Sequence, residues 1–99
     1  MNFVIRRDEW LRGEGFNQSS LLRTRDGKRC CIGIYGRALG IPDEDMRDVP
    51  AAPVNDPRWP QWIGDGIYEA NDQIGLDEER REARITKIFG KHGDSVVFE

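Results

Sequence analysis

Cys30 and Cys31 are the only cysteines in 99 residues, and they stand side by side in "DGKRCCIG", residues 26–33. Four chemistries use cysteine, and the spacing weighs on each. A structural zinc centre takes four ligands in a tetrahedron. Adjacent thiols do not turn comfortably to one centre, and the single histidine, His92, brings the set only to three. No metal and no cofactor are expected. A redox dithiol normally uses the C-x-x-C spacing, which puts both sulfurs on one helical face. Neighbours on a helix point about 100° apart, so a bond between them would strain the backbone. A nucleophile fits better. Cys30 would sit in the first turn of a helix beside Lys28 and Arg29, where the helix end and the cations lower a thiol pKa. Its base is missing, since nothing local brings His92 near. The remaining reading is packing, because cysteine behaves as a small hydrophobe. Cys31 is in phase with Ile34, Tyr35, Ala38 and Leu39, so both thiols are expected in the interior.

Other stretches offer weaker chemistry. "RGEG" and "GDG" do not make a phosphate loop, and "GKRCCIGIYG" has Gly-Lys without the following Ser or Thr. A helix N-terminus near Arg29 keeps a dipole that suits phosphate. Trp59 and Trp62 flank Pro60 in "RWPQW". Exposed beside Arg58, they would stack a base or anchor a partner; folded back, they would fill the core. Asn71 and Asp72 read as turn or cap residues before the last helix. With one histidine and no nucleophile–base spacing, an enzyme is not expected.

The net charge of −3 hides an imbalance. Residues 1–42 carry eight basic and four acidic side chains; the remainder carries seven and fourteen. Such a chain lacks the contiguous positive character of a general nucleic-acid coat. It permits a basic face that meets phosphate and an acidic face that meets something basic.

These residues need a scaffold. The length fits one domain, residues 1–99, with one small core. Nine aromatic residues supply anchors and argue against disorder. "FVIR" reads as a strand, and Asp8 as the cap of a short helix over "EWLRG". "LLRT" reads as a second strand and "RDGK" as a turn. A helix is expected over 30–39, ended by Gly40 and Pro42, with a brief helical turn in "PDEDM". Four prolines between Val49 and Pro60 force an extended loop. A short helix is expected around Ile67 to Asn71. Asp77 caps the clearest helix, with acids at its start and Lys87, Lys91 and His92 at its end. Gly93 closes it, and "SVVF" is a last strand. The expected architecture is α+β, a small antiparallel sheet of two or three strands on two main helices. No stretch is long and apolar enough for a membrane span or an export signal, and free vicinal thiols suit a reducing cytoplasm.

The order "EWLRGEG", "LLRTRDGKRCCIGIYGRALGI", "ND", "EERREARITKIFGKHGDSVVF" resembles a group of small phage and prophage proteins with a C-C-[LI]-G element and a closing helix–strand. The resemblance covers most of the chain except 43–66, and Ile32 stands where leucine is usual. It implies phage origin and a shared fold, and it carries no catalytic residue across. Small acidic phage proteins often bind host machinery, as anti-CRISPR and other anti-defence inhibitors do.

Three functions follow as expectations. The first is a binding protein in the host cytoplasm that blocks a host defence or regulatory protein. Its acidic stretches Asp43, Glu44, Asp45 to Asp48 and Asp77 to Glu82 would compete for a basic channel. The second is a sponge for a nucleotide signal. Arg6, Arg7, Arg12, Lys28 and Arg29 would pair phosphates while Trp10 or Trp59 stacks a base. The third is an enzyme using Cys30. A homodimer is expected, since a chain this small places a ligand site at its surface or at an interface.

Overall fold

A computed structural model describes all 99 residues. The chain is α+β. Strand β1 (Asn2–Ile5) opens it and strand β2 (Ser95–Phe98) nearly closes it. Between them lie helices α1 (Cys31–Ala38), α2 (Asp65–Asp72) and α3 (Glu78–Lys91), with single 3-10 turns at Arg7–Glu9, Phe16–Gln18 and Asp43–Asp45.

The two strands pair in parallel, Asn2 with Ser95 through Ile5 with Phe98. The antiparallel sheet expected from the sequence is therefore corrected. Parallel neighbours need a long crossover, and almost the whole chain supplies it here. Helix α3 runs back across the sheet and reverses at Gly93, whose φ is +85°. The Asp94 N–H then returns to the Phe89 carbonyl, which starts β2 alongside β1. "LLRT" is not a strand of this sheet. Leu22 makes one isolated bridge to Arg47, and Trp10 one to Arg29. The helix expected over "EWLRG" is also replaced. The Leu11 N–H donates to the Arg29 carbonyl, so Trp10 and Leu11 are extended after one 3-10 turn.

Helix α1 is the centre of the fold. Its apolar stripe was legible, yet all of Cys31 to Gly36 is buried, so these six residues are enclosed on every side, while Ala38 and Leu39 of the expected stripe are exposed. Its glycines are contact surfaces. A methyl group at Gly33 would come 1.8 Å from the Leu21 carbonyl oxygen, and one at Gly36 would come 2.2 Å from the Trp59 ring. Leu21 and Trp59 thus press on opposite requirements of one helix, and only glycine meets them. Beside it, Phe3 from β1, Tyr35 from α1 and Phe89 from α3 pack with ring centroids 4.9–5.2 Å apart. Trp62 joins Phe89 edge-on at 5.4 Å and stacks flat on His92 at 4.2 Å. Tilted and edge-on pairs of this kind are the favoured aromatic geometries.

Helix α3 forms as its sequence dictates. The Asp77 carboxylate accepts the Glu79 N–H at 2.8 Å, which caps the first turn. Ile85 and Phe89 point inward, four residues apart. Arg81 is also inward, buried at the end of α2. Its guanidinium donates to the carbonyls of Ala70, Asn71, Gln73 and Leu76. A cation there meets the negative end of α2 and satisfies its last acceptors. No helix is long and apolar enough to cross a membrane.

Candidate functional site

Both thiols are fully buried and unbonded. Burial in apolar surroundings pushes Cys30 up to about 11 and Cys31 upward as well. Loss of water outweighs the N–H groups at the start of α1 that favour the thiolate. The pair therefore lacks the activated state a nucleophile needs. No group of three or more His, Cys, Asp or Glu side chains is arranged to hold a metal ion.

The charged residues singled out in the sequence are brought together, but with one another. Arg7 holds Glu82 through two hydrogen bonds of 2.8 and 2.7 Å. Arg12 reaches Glu78 at 3.0 Å and lies over the Trp10 ring at 4.5 Å. Arg29, nearly buried, bonds Asp43 at 2.7 Å. Arg58 bonds Asp45 and Asp56, each at 2.7 Å. Arg6 lies exposed, 3.7 Å from Asp8, while Lys28 and Glu44 make no ion pair. Arg7, Arg12 and Arg29 thus tie the basic part of the chain to the acidic remainder, while Arg6, Arg23 and Arg37 pair with acids of residues 1–42. Two of the three tryptophans are inside, and Trp62 is half-buried. Trp10 and Trp59 are both buried, so neither ring is open to a base.

Helix α2 carries, in other roles, the two residues read from the sequence as turn or cap residues. Asn71 is fully buried, and its side chain uses every bond it can make. Its Oδ1 accepts the Trp10 indole N–H at 2.8 Å and the Cys31 N–H at 3.0 Å. Its Nδ2 donates to the Leu11 carbonyl at 3.0 Å and to Asp72 Oδ1 at 2.8 Å. It is not a cap for the last helix, as expected; it satisfies the first turn of α1 and ties three segments together. Asp72 is 6% exposed, and its Oδ2 has no hydrogen-bond partner. Burial raises its pKa, against the opposing effects of the Asn71 amide and the Ser19 hydroxyl. Ser19 Oγ itself falls short of a hydrogen bond. A buried carboxylate with one idle oxygen is costly, and such groups are rare in a finished interior.

Asp72 also lines a groove of about 530 Å³, the largest concavity on the molecule. Its apolar wall is Phe16, Ala52, Val54, Ile63 and Tyr68. The Tyr68 hydroxyl accepts the Ala52 N–H at 2.8 Å, which fixes the proline-rich segment against α2. Val54 is 93% exposed and Phe16 58%, so large apolar groups stand open at the rim. The polar side is acidic, formed by Asp65, Glu69 and Asp72, and no cation lines it. These three lie at i, i+4 and i+7, one face of α2. The volume is in the range of ligand-binding clefts. The sequence hint was faint: a prolines-and-alanines loop before an amphipathic octet whose exposed charges, Asp65 and Glu69, are both acids.

The chain matches no protein-family model, no curated protein and no solved structure.

Proposed function

We propose that this chain is a small phage-type accessory protein that works by binding, and that its target is a host defence or regulatory protein in the host cytoplasm. The observation that carries the reading is the groove. Exposed apolar residues gathered at a concavity mark interaction sites more often than scattered ones do. Phe16 and Val54 are such residues, and the fold has no need of their exposure. The paired charges bear on how it binds. Asp43, Asp45, Glu78 and Glu82 are already engaged by arginines, which supports an apolar contact more than acidic mimicry of nucleic acid. The C-C-[LI]-G resemblance supports the phage assignment, and two free thiols suit a reducing compartment.

Affinity capture from bacterial host lysate tests this, with wild type beside the Phe16→Ser/Val54→Ser double variant. A stoichiometric protein partner that survives raised salt and disappears with the variant is expected. Recovery of no protein at low salt, or of the same partners by both chains, sinks the reading. The nucleotide sponge has less support, because Trp10 and Trp59 are inside and four of its arginines have carboxylate partners. A melting point that climbs with added nucleotide would revive it.

A further inference from the structure

We infer that the groove beside α2 takes an extended protein segment in which a large apolar side chain is followed by arginine or lysine. The apolar side chain fills the wall of Phe16, Val54 and Ile63, and the cation lies along the acidic face of α2 against Asp65 and Asp72. This deepens the binding reading above and rests on it.

Three observations converge. First, the charges in the groove have one sign. Asp65 and Glu69 stand one helical turn apart, where like charges repel. Asp65 makes no ion pair, and Glu69 has only the Arg84 guanidinium at 4.0 Å. Elsewhere the chain pairs its carboxylates closely, with arginines at 2.6–3.3 Å from Glu14, Asp26, Asp43, Asp45, Asp56, Glu78 and Glu82. Other carboxylates, Glu44 among them, also lack a close arginine, but only in the groove do such carboxylates share a concavity with an apolar wall, and a cation from outside completes it. Second, Asp72 is more than nine-tenths buried with Oδ2 unpartnered. That oxygen is kept in place by Asn71, which holds the other one. Oδ2 itself is closed to water, so a guanidinium or ammonium at this end of the groove would offset the Asp72 charge through the groove wall, where a low dielectric strengthens the attraction. Third, the Tyr68 hydroxyl accepts from Ala52 and so has its own proton left to give. A backbone carbonyl of a docked chain is a natural acceptor, which fixes register along the groove.

The apolar half accounts for size and the acidic half for orientation. An apolar segment without the cation leaves Asp72 unsatisfied under a cover that excludes water. A cation without the apolar neighbour leaves the exposed wall of Phe16 and Val54 wet.

The test uses the full chain and fluorescein-labelled peptides, each Gly-Ser-Leu-X-Gly-Ser, with X as arginine, lysine or citrulline. A fourth peptide replaces leucine by serine and keeps arginine, and free arginine amide is a competitor. The arginine and lysine peptides are expected to bind at least tenfold tighter than the citrulline and serine ones. Asp72→Asn should abolish the preference for arginine over citrulline while leucine-dependent binding remains. The exposed pair Asp65→Asn/Glu69→Gln, which cannot disturb the interior, should weaken only the charged peptides. Equal binding of arginine and citrulline, or an unchanged preference in both variants, overturns the assignment. Arginine amide that competes as well as the peptide overturns it too, in favour of a small-molecule cation. Failure here with groove-dependent capture from lysate intact would condemn only this segment chemistry. Failure of both would condemn the binding reading.

Discussion

Asn71 and Asp72 are neighbours at the end of one helix, and they have opposite fates. Asn71 has four hydrogen bonds and no exposure. Asp72 is almost as deep and leaves one oxygen idle. The first belongs to the junction of α1, α2 and the N-terminal segment, where its amide meets four partners. The second belongs to the groove, where apolar side chains stand in water and carboxylates lack cations. One residue step divides a fully bonded amide from a carboxyl at the edge of the groove. The difference teaches where to look for function, since folding alone explains the junction and does not explain the groove.

The comparison breaks first at the junction. Gly33→Ala puts a methyl into the Leu21 backbone, which cannot retreat as a flexible side chain can. A loss of at least ~3 kcal/mol is expected, at the upper end of overpacking costs, read by urea denaturation. Asn71→Ala comes next. It strands the Trp10 indole N–H, the Cys31 N–H and the Leu11 carbonyl, each buried. At ~1–3 kcal/mol for a stranded buried group, about 3 kcal/mol or more is expected, with the red shift of Trp emission that marks unfolding arriving at a lower temperature. A variant as stable as wild type would erase the distinction between the two neighbours.

Asp72→Asn sharpens it from the other side. The amide keeps an acceptor for Asn71 and removes a charge that burial disfavours. Its Tm at pH 7 should rise by roughly 4 °C, about what 1 kcal/mol does in a domain of this size. The sign with pH follows. A carboxyl whose folded pKa is raised stabilises below its unfolded value and loses that contribution as pH rises through the folded one. The variant's advantage should therefore shrink or reverse at pH 4. An advantage independent of pH would show that Asp72 has no charge penalty.

Asp26 behaves oppositely. Its hydrogen bonds with Arg23 hold its carboxyl down to about 2. Its contribution is complete above the ordinary carboxylate range and fades as pH falls from ~4 to about 2. Acid titration by NMR should show this fading in wild type, and Arg23→Gln should move the Asp26 midpoint upward. The smallest effect on stability belongs to the groove rim. Val54→Ser should change stability by no more than ~0.5 kcal/mol, as exposed sites do, while costing partner capture.

The sequence revealed the parts whose causes are local. Asp77, its following acids and the closing Gly93 announced α3, because caps and dipole act within a few residues. The prolines of 50–60 announced an irregular segment for the same reason. The stripe through Cys31, Tyr35 and Ala38 announced α1, though not that every side of Cys31 to Gly36 is covered while Ala38 is exposed. What stayed hidden was set at long range. Parallel pairing of β1 with β2 depends on the path of everything between them. Trp10 is extended because Arg29 is there to pair with, which overrides the helical pattern of "EWLRG". Asn71 looked like a turn residue, since its partners lie 40, 60 and 61 positions away. The groove was hidden because Phe16, the 51–54 segment and α2 meet only in the folded chain.

The register of the two strands also governs how the molecule answers a pull. Met1 lies at the start of β1 and Glu99 just past the end of β2, with the strands side by side and pointing the same way. Tension between these two residues slides one strand along the other and loads all their cross-links together, whereas a hairpin would unzip rung by rung. The small ribbon is a mechanical clamp on the whole body. Stretching single molecules from residues 1 and 99 should meet one high rupture peak, and tethering at 1 and 40 a much lower one.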